Sequence, residues 1–159
     1  MYLTGYTEPH QFKVAYDIAV EMGRKFQIQD DWLDAFGDPK AIGKVGTDIQ
    51  DHKCTWLVTM ALKLMTPDQR KILEQHYGKD DEASIAAVKQ LYTELGLKDH
   101  YYLQQEQESY KRIRHMIKEA SPVLPAGVFL PILDRVSTLV FAARFSPTHP
   151  RPYSVLCSQ

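Results

Sequence analysis

Apolar residues recur at helical spacing over nearly the whole chain, and no stretch keeps the strict alternation of a half-buried strand. A first helix is predicted with Thr7 as its cap, Glu8 and Pro9 in its first turn, and Gly37, Asp38 and Pro39 ending it after Phe36. Its apolar positions, among them Ile18, Met22, Phe26, Ile28, Trp32 and Phe36, reach most of the way round the helix, a pattern normally enclosed by neighbours. Gly37, Pro39, Gly43 and Gly46 then punctuate a loop. Thr47 and Gln50 have the spacing of a capping box, predicting a helix over 47–65 with Trp56, Leu57, Met60, Ala61 and Leu64 on one face. Further helices are predicted from Thr66 and Pro67 to about Tyr77, over 81–95 with Gly96 as the stop, and over 97–120. Ser121 and Pro122 break the last of these, and Pro125 restarts a helix through Phe129, Ile132 and Leu133. The expected architecture is an all-α bundle over 1–145, followed over 146–159 by a Ser/Pro/Thr-containing tail of poorly ordered composition.

Composition narrows the class. At 159 residues, 44% hydrophobic and 25% charged, the chain suits one globular domain. A formal net charge of -1 gives no electrostatic case for nucleic acid or an anionic membrane, so any charge-based chemistry must be local. No uninterrupted apolar run is long enough to cross a bilayer, and the first residues lack the basic-then-apolar pattern of a signal peptide. Cys54 and Cys157 have neither metal-knuckle nor redox-pair spacing, so a reducing, cytoplasmic setting is the expectation.

The local charge sits at the end of the first predicted helix. Asp30 and Asp34 lie four apart on one face, with Asp31 a neighbour of both. Their mutual repulsion and the negative end of the helix dipole each cost about 0.3–1 kcal/mol, with the same sign. Such an arrangement calls for a compensating cation. Carboxylate oxygens suit magnesium, which typically takes one or two carboxylates, several waters and phosphate oxygens; no histidine or cysteine lies near enough to favour zinc. Gln27 shares the face of Asp30 and Asp31. Lys44 and Lys53 flank the glycine-punctuated turn and the helix start at Thr47 and Asp48, where backbone N–H groups and ammonium groups would make an anion site. A diphosphate bridged by magnesium needs both signs of charge in one place.

The stretch Gly23 to Asp34, then Gly37-Asp38-Pro39, Gly43-Lys44, Gly46-Thr47-Asp48-Ile49-Gln50-Asp51 and Lys53-Cys54-Thr55-Trp56-Leu57-Val58, closely resembles the farnesyl diphosphate synthases of the eukaryotic type, in the polyprenyl synthetase family. The similarity continues through residues 91–95 and 106–110 to Val128-Phe129-Leu130. The resemblance implies an antiparallel helical bundle with the isoprenoid synthase fold, of which residues 1–145 are the C-terminal part. It makes Asp30, Asp31 and Asp34 the second aspartate-rich motif, which helps hold magnesium and an allylic diphosphate. Lys44 corresponds to a lysine on that diphosphate and Gln27 to a glutamine lining the cavity; Thr47, Asp48 and Lys53 match positions near the site. The implied reaction condenses isopentenyl diphosphate with dimethylallyl or geranyl diphosphate to give farnesyl diphosphate, and the family is homodimeric. The first aspartate-rich motif and the basic residues that take isopentenyl diphosphate have no counterpart in this sequence. The expectation is therefore a half-site, with a non-catalytic module that binds magnesium-diphosphate or a full-length subunit as the alternative.

Trp32 and Trp56 fall on apolar faces and are expected in the core. Cys54 is expected to be a buried thiol, His52 a polar neighbour of the site, and residues 111–114 a solvated helix face.

Overall fold

The computed structural model describes residue 1 and residues 5–144, with side chains through Ser137. Every regular element among them is helical. α1 spans Pro9–Phe36, α2 Pro39–Ile42, α3 Trp56–Leu64, α4 Pro67–His76, α5 Glu82–Glu94, α6 Tyr102–Ala120 and α7 Ala126–Arg144, with a π-helical turn Leu97–Tyr101 leading into α6. The tail predicted over 146–159 lies outside the described residues.

Most boundaries follow local chemistry. Thr66 caps α4 by accepting the Gln69 N–H (3.3 Å), and the Gln69 side chain returns to the Thr66 N–H (3.0 Å), a complete capping box. Asp81 caps α5 through the Ser84 N–H (2.8 Å), and Gly96 takes the left-handed conformation (φ 73) that ends the α5 segment. α1 differs from expectation by one residue. Glu8 is its cap, and the Gln11 side chain, not one from Thr7, closes the first turn on the Glu8 N–H (3.1 Å).

The predicted helix over 47–65 is shorter than its sequence signal. Residues 48–52 form turns, and α3 begins only at Trp56, capped by the Thr55 hydroxyl on the Val58 N–H (3.2 Å). His52 explains the interruption: its φ of 54 is left-handed and cannot continue a right-handed helix. The loop before it holds the single turn of α2, where the Asp38 carboxylate accepts the Lys40 N–H (3.0 Å) and Gly43 closes the turn with φ 75.

α1 and α6 lie side by side and antiparallel, since Trp32 meets Tyr102, Lys25 meets Glu106 and Glu21 meets Arg112. Their apolar contacts form two clusters. One gathers Ile28, Trp32 and Ala35 of α1 with Leu57 and Ala61 of α3, Leu73 of α4, Val88, Leu91 and Tyr92 of α5, and Tyr102. The other gathers Ile18 and Met22 with Ile113, Ile117 and Leu133. Trp32 stacks on Tyr102 with centroids 4.8 Å apart, and its indole N–H reaches the Lys98 carbonyl (2.9 Å) in the π-helical turn. The stack contributes about 0.5–1.5 kcal/mol beyond area burial. Between the clusters lies a polar node: the buried Lys25 ammonium pairs with Glu106, whose Oε1 also accepts from Gln29 Nε2 (2.9 Å).

The core assignment of Trp32 holds, and Trp56 packs at the edge of the first cluster. Two other expectations are corrected. Cys54 is exposed, because it lies in the extended residues before α3 and not on a helix face. Ile113 is fully buried against α1, so residues 111–114 are not one solvated face. The later helices do not suffice to surround the apolar α1, and Tyr16, Val20 and Phe26 stand exposed. No helix of the described residues is long and apolar enough to cross a membrane.

Candidate functional site

The last two turns of α1 carry the three aspartates, and the segment from Lys44 to Trp56 folds back over them. Asp34 fixes this fold-back. Its Oδ1 accepts the Thr47 N–H (3.2 Å) and its Oδ2 the Asp48 N–H (2.9 Å). The returning chain passes so close that a Cβ built on Gly46 would lie 1.9 Å from the Asp34 carbonyl oxygen, so only glycine fits there. The far side of the loop is tied down by Gly78, whose N–H reaches the Ile49 carbonyl (2.9 Å), and by the Tyr77 hydroxyl on the Lys53 carbonyl (2.6 Å).

Asp31 is nearly buried and serves three partners. Oδ2 accepts the Trp56 N–H at 2.7 Å, while Oδ1 accepts from Gln27 Nε2 at 3.1 Å and faces Lys53 Nζ at 3.7 Å. The first of these places the α1 carboxylate on the N-terminal turn of α3, where the helix dipole favours an anion. Lys53 also bonds both carboxylate oxygens of Asp48, each at 3.0 Å. The bond to Asp48 is the main reason the Lys53 ammonium is held above the ordinary lysine range, against a smaller opposing effect of burial. Burial raises the Asp48 carboxyl above its usual range, with the nearby Asp34 and Asp31 charges adding to it and the Lys53 hydrogen bond opposing. Asp30 is the open member: its side chain is 34% exposed and its Oδ1 takes the Lys44 ammonium at 3.1 Å.

The structure therefore brings Gln27, Asp30, Asp31, Asp34, Lys44, Asp48 and Lys53 together at one end of α1. Thr47 joins through its backbone only. The anion site expected at a helix start there is not formed, because no helix begins at Thr47 and the two amides are already bonded to Asp34. The sequence reading missed the Trp56 amide and the Tyr77 hydroxyl. Neither carries a local signal, since their partners lie 25 and 24 residues away.

The donor set fits a hard cation in a particular way. Asp30 offers carboxylate oxygen on the open side, with the nearly buried Asp31 Oδ1, shared by Gln27 and Lys53, behind it, which suits magnesium completed by water and phosphate oxygens. Each Asp34 oxygen is already committed to an amide. Among the described residues no three His, Cys, Asp or Glu side chains converge as a ready-made chelate. The charge problem at the end of α1 is met internally by Lys44, Lys53 and three backbone N–H groups.

The sequence profile described as Polyprenyl synthetase matches residues 1–95. The farnesyl pyrophosphate synthase of Rattus norvegicus is 46% identical over 136 residues, covering 86% of this chain and 38% of the relative. That of Panax ginseng is 53% identical over 106 residues, covering 67% of this chain and 30% of the relative. A solved structure of T. brucei farnesyl pyrophosphate synthase superposes with a TM-score of 0.71 at 32% identity, covering 80% of this chain and 38% of that one. The chain thus spans less than two-fifths of the length of these relatives. The helical fold is the all-α isoprenoid synthase fold that the sequence implied. With the profile covering more than half of its residues, the chain belongs to the polyprenyl synthetase family.

Proposed function

We propose that the end of α1 is the allylic-diphosphate half of a prenyltransferase site, with magnesium as cofactor. The observation that carries this reading is the pairing of opposite charges around one open corner: the Asp30 and Asp31 carboxylates with the Lys44 and Lys53 ammonium groups. In a family member, that combination suits a dimethylallyl or geranyl diphosphate. Asp30 and Asp31 would hold magnesium, which when bound supplies charge stabilisation to a departing diphosphate. Lys44, half exposed and paired only at its tip, turns from Asp30 to a phosphate oxygen. Lys53 is held charged by Asp48 and adds positive potential behind it. Gln27 orients Asp31 through its amide. Asp34 and Thr47 act through the loop, keeping Lys44 at the mouth of the site.

In this reading the overall reaction is condensation of isopentenyl diphosphate with the allylic substrate to farnesyl diphosphate, and these residues supply one side of it. No other aspartate-rich motif occurs in the 159 residues, so in this reading the other side is supplied from elsewhere. The proposal is tested by incubating the chain with dimethylallyl diphosphate, radiolabelled isopentenyl diphosphate and magnesium. Trace product is expected, and addition of a full-length synthase lacking its own second aspartate motif should raise it. Robust turnover by the chain alone would overturn the half-site assignment.

A further inference from the structure

A second candidate site lies at the junction of α6 and α7, whose apolar residues pack on the Ile18 and Met22 part of α1 and not on its acidic end. A cavity of about 340 Å³ opens there. Its floor is apolar, formed by the buried Ile117 of α6 and by Ala126 and Leu130 of α7. One edge is cationic: Arg114, His115 and Lys118 all line it from α6. The other edge is the start of α7, where Ala126 is the first residue of a 19-residue helix and the first-turn amides carry the positive end of the dipole. Arg114 lies across the Tyr110 ring with its guanidinium 5.8 Å from the centroid, and its Nη1 donates to the Tyr110 hydroxyl (3.5 Å), which itself donates to Asp134 (2.9 Å). His115 and Lys118 are exposed, and neither enters an ion pair among the described residues.

These features do not serve the acidic site. An apolar floor favours a hydrocarbon body, and a rim of the exposed Lys118 and His115, the partnered Arg114 and a helix start favours an anionic head. Arginine's planar fork matches phosphate geometry. At about 340 Å³ the cavity stands at the small end of the range for ligand pockets, about 300–1,000 Å³, which suits one short chain and not a pair of long ones. The net charge of -1 provides no broad field toward an anionic membrane.

We propose that this cavity binds a soluble, single-tailed organic phosphate, with Arg114 and Lys118 on the phosphate and the tail on Ile117 and Leu130. The inference is independent of the reading of the acidic site. It is tested by calorimetric titration of the full chain with octyl phosphate below its micelle-forming concentration, in EDTA so that no magnesium is present, beside vesicles containing phosphatidic acid. Saturable single-site binding is expected, weakened about tenfold or more in Lys118→Glu, an exposed position outside the core. Absence of saturable binding, binding that Lys118→Glu leaves unchanged, or binding to the vesicles alone would each overturn the proposal.

Discussion

The Asp34 carboxylate, near the end of α1, accepts the Asp48 backbone N–H at 2.9 Å and so locks a loop fourteen residues further on against the helix that carries the acidic cluster. With the second bond to Thr47, this one side chain sets where Lys44 and Lys53 stand. Hydrogen bonds to a charged acceptor are worth about 1.5–3 kcal/mol, and unmaking them strands two amides. Asp34→Ala should lower unfolding stability by about 2 kcal/mol or more. Hydrogen exchange should accelerate at the Thr47 and Asp48 amides before it does in α5, and uniform protection across both would refute the clasp.

Gly46 should be almost as sensitive. A Cβ there meets Asp34 backbone, its carbonyl oxygen at 1.9 Å and carbonyl carbon at 2.6 Å, which cannot swing away, as well as the Asp34 Oδ2 at 2.6 Å. Gly46→Ala is expected to cost about 1–3 kcal/mol through forced backbone displacement. Gly23→Ala, with open space around its Cβ, should be neutral or slightly stabilising because alanine favours helix. Denaturant melts of the two variants check the contrast.

The buried Lys25–Glu106 pair bears on pH. Burial holds the Lys25 ammonium below its ordinary value of 10.5, more strongly than the Glu106 charge raises it. The folded chain therefore releases this proton at lower pH than the unfolded chain does. Between the two values the unfolded state binds more protons, so this group's contribution to stability rises with pH as the medium approaches 10.5. The stability difference between the native chain and Lys25→Met should shift in favour of the native chain from pH 8 to pH 10, measured by urea melts. Glu106→Ala, which strands the ammonium, should cost about 3–5 kcal/mol at neutral pH. A double Lys25→Met, Glu106→Leu variant should recover most of that loss.

Cys54 supplies a simple check on the loop before α3. It is exposed, and so should react in the native state with iodoacetamide, located by mass spectrometry of the modified peptide. Protection of Cys54 until unfolding would contradict the extended course of the chain between Lys53 and Thr55.

Elements that depend on neighbours in sequence were the legible ones. Thr66 with Gln69, and Asp81 with Ser84, close their helix starts within one turn, and both starts are where the sequence puts them. The same signature at Thr47 and Gln50 misleads, because Asp34 competes for the amides and His52 turns left-handed. The charged residues of the candidate site were legible from their types and order. The bonds that position them were not: Trp56 to Asp31, Tyr77 to Lys53 and Lys25 to Glu106 join residues far apart in the chain. Lys25 in particular reads as an ordinary helix-surface lysine until α6 is laid across it.

The role proposed for Asp30 and Asp31, beside Lys44, is to take an allylic diphosphate through magnesium. Calorimetric titration of the chain with geranyl diphosphate, with and without magnesium, tests it most directly. Heat is expected only with magnesium and is lost in Asp30→Ala, while the thermal unfolding midpoint of that variant stays within a few degrees of the native chain's. Magnesium-independent heat, or heat that survives Asp30→Ala, would contradict it.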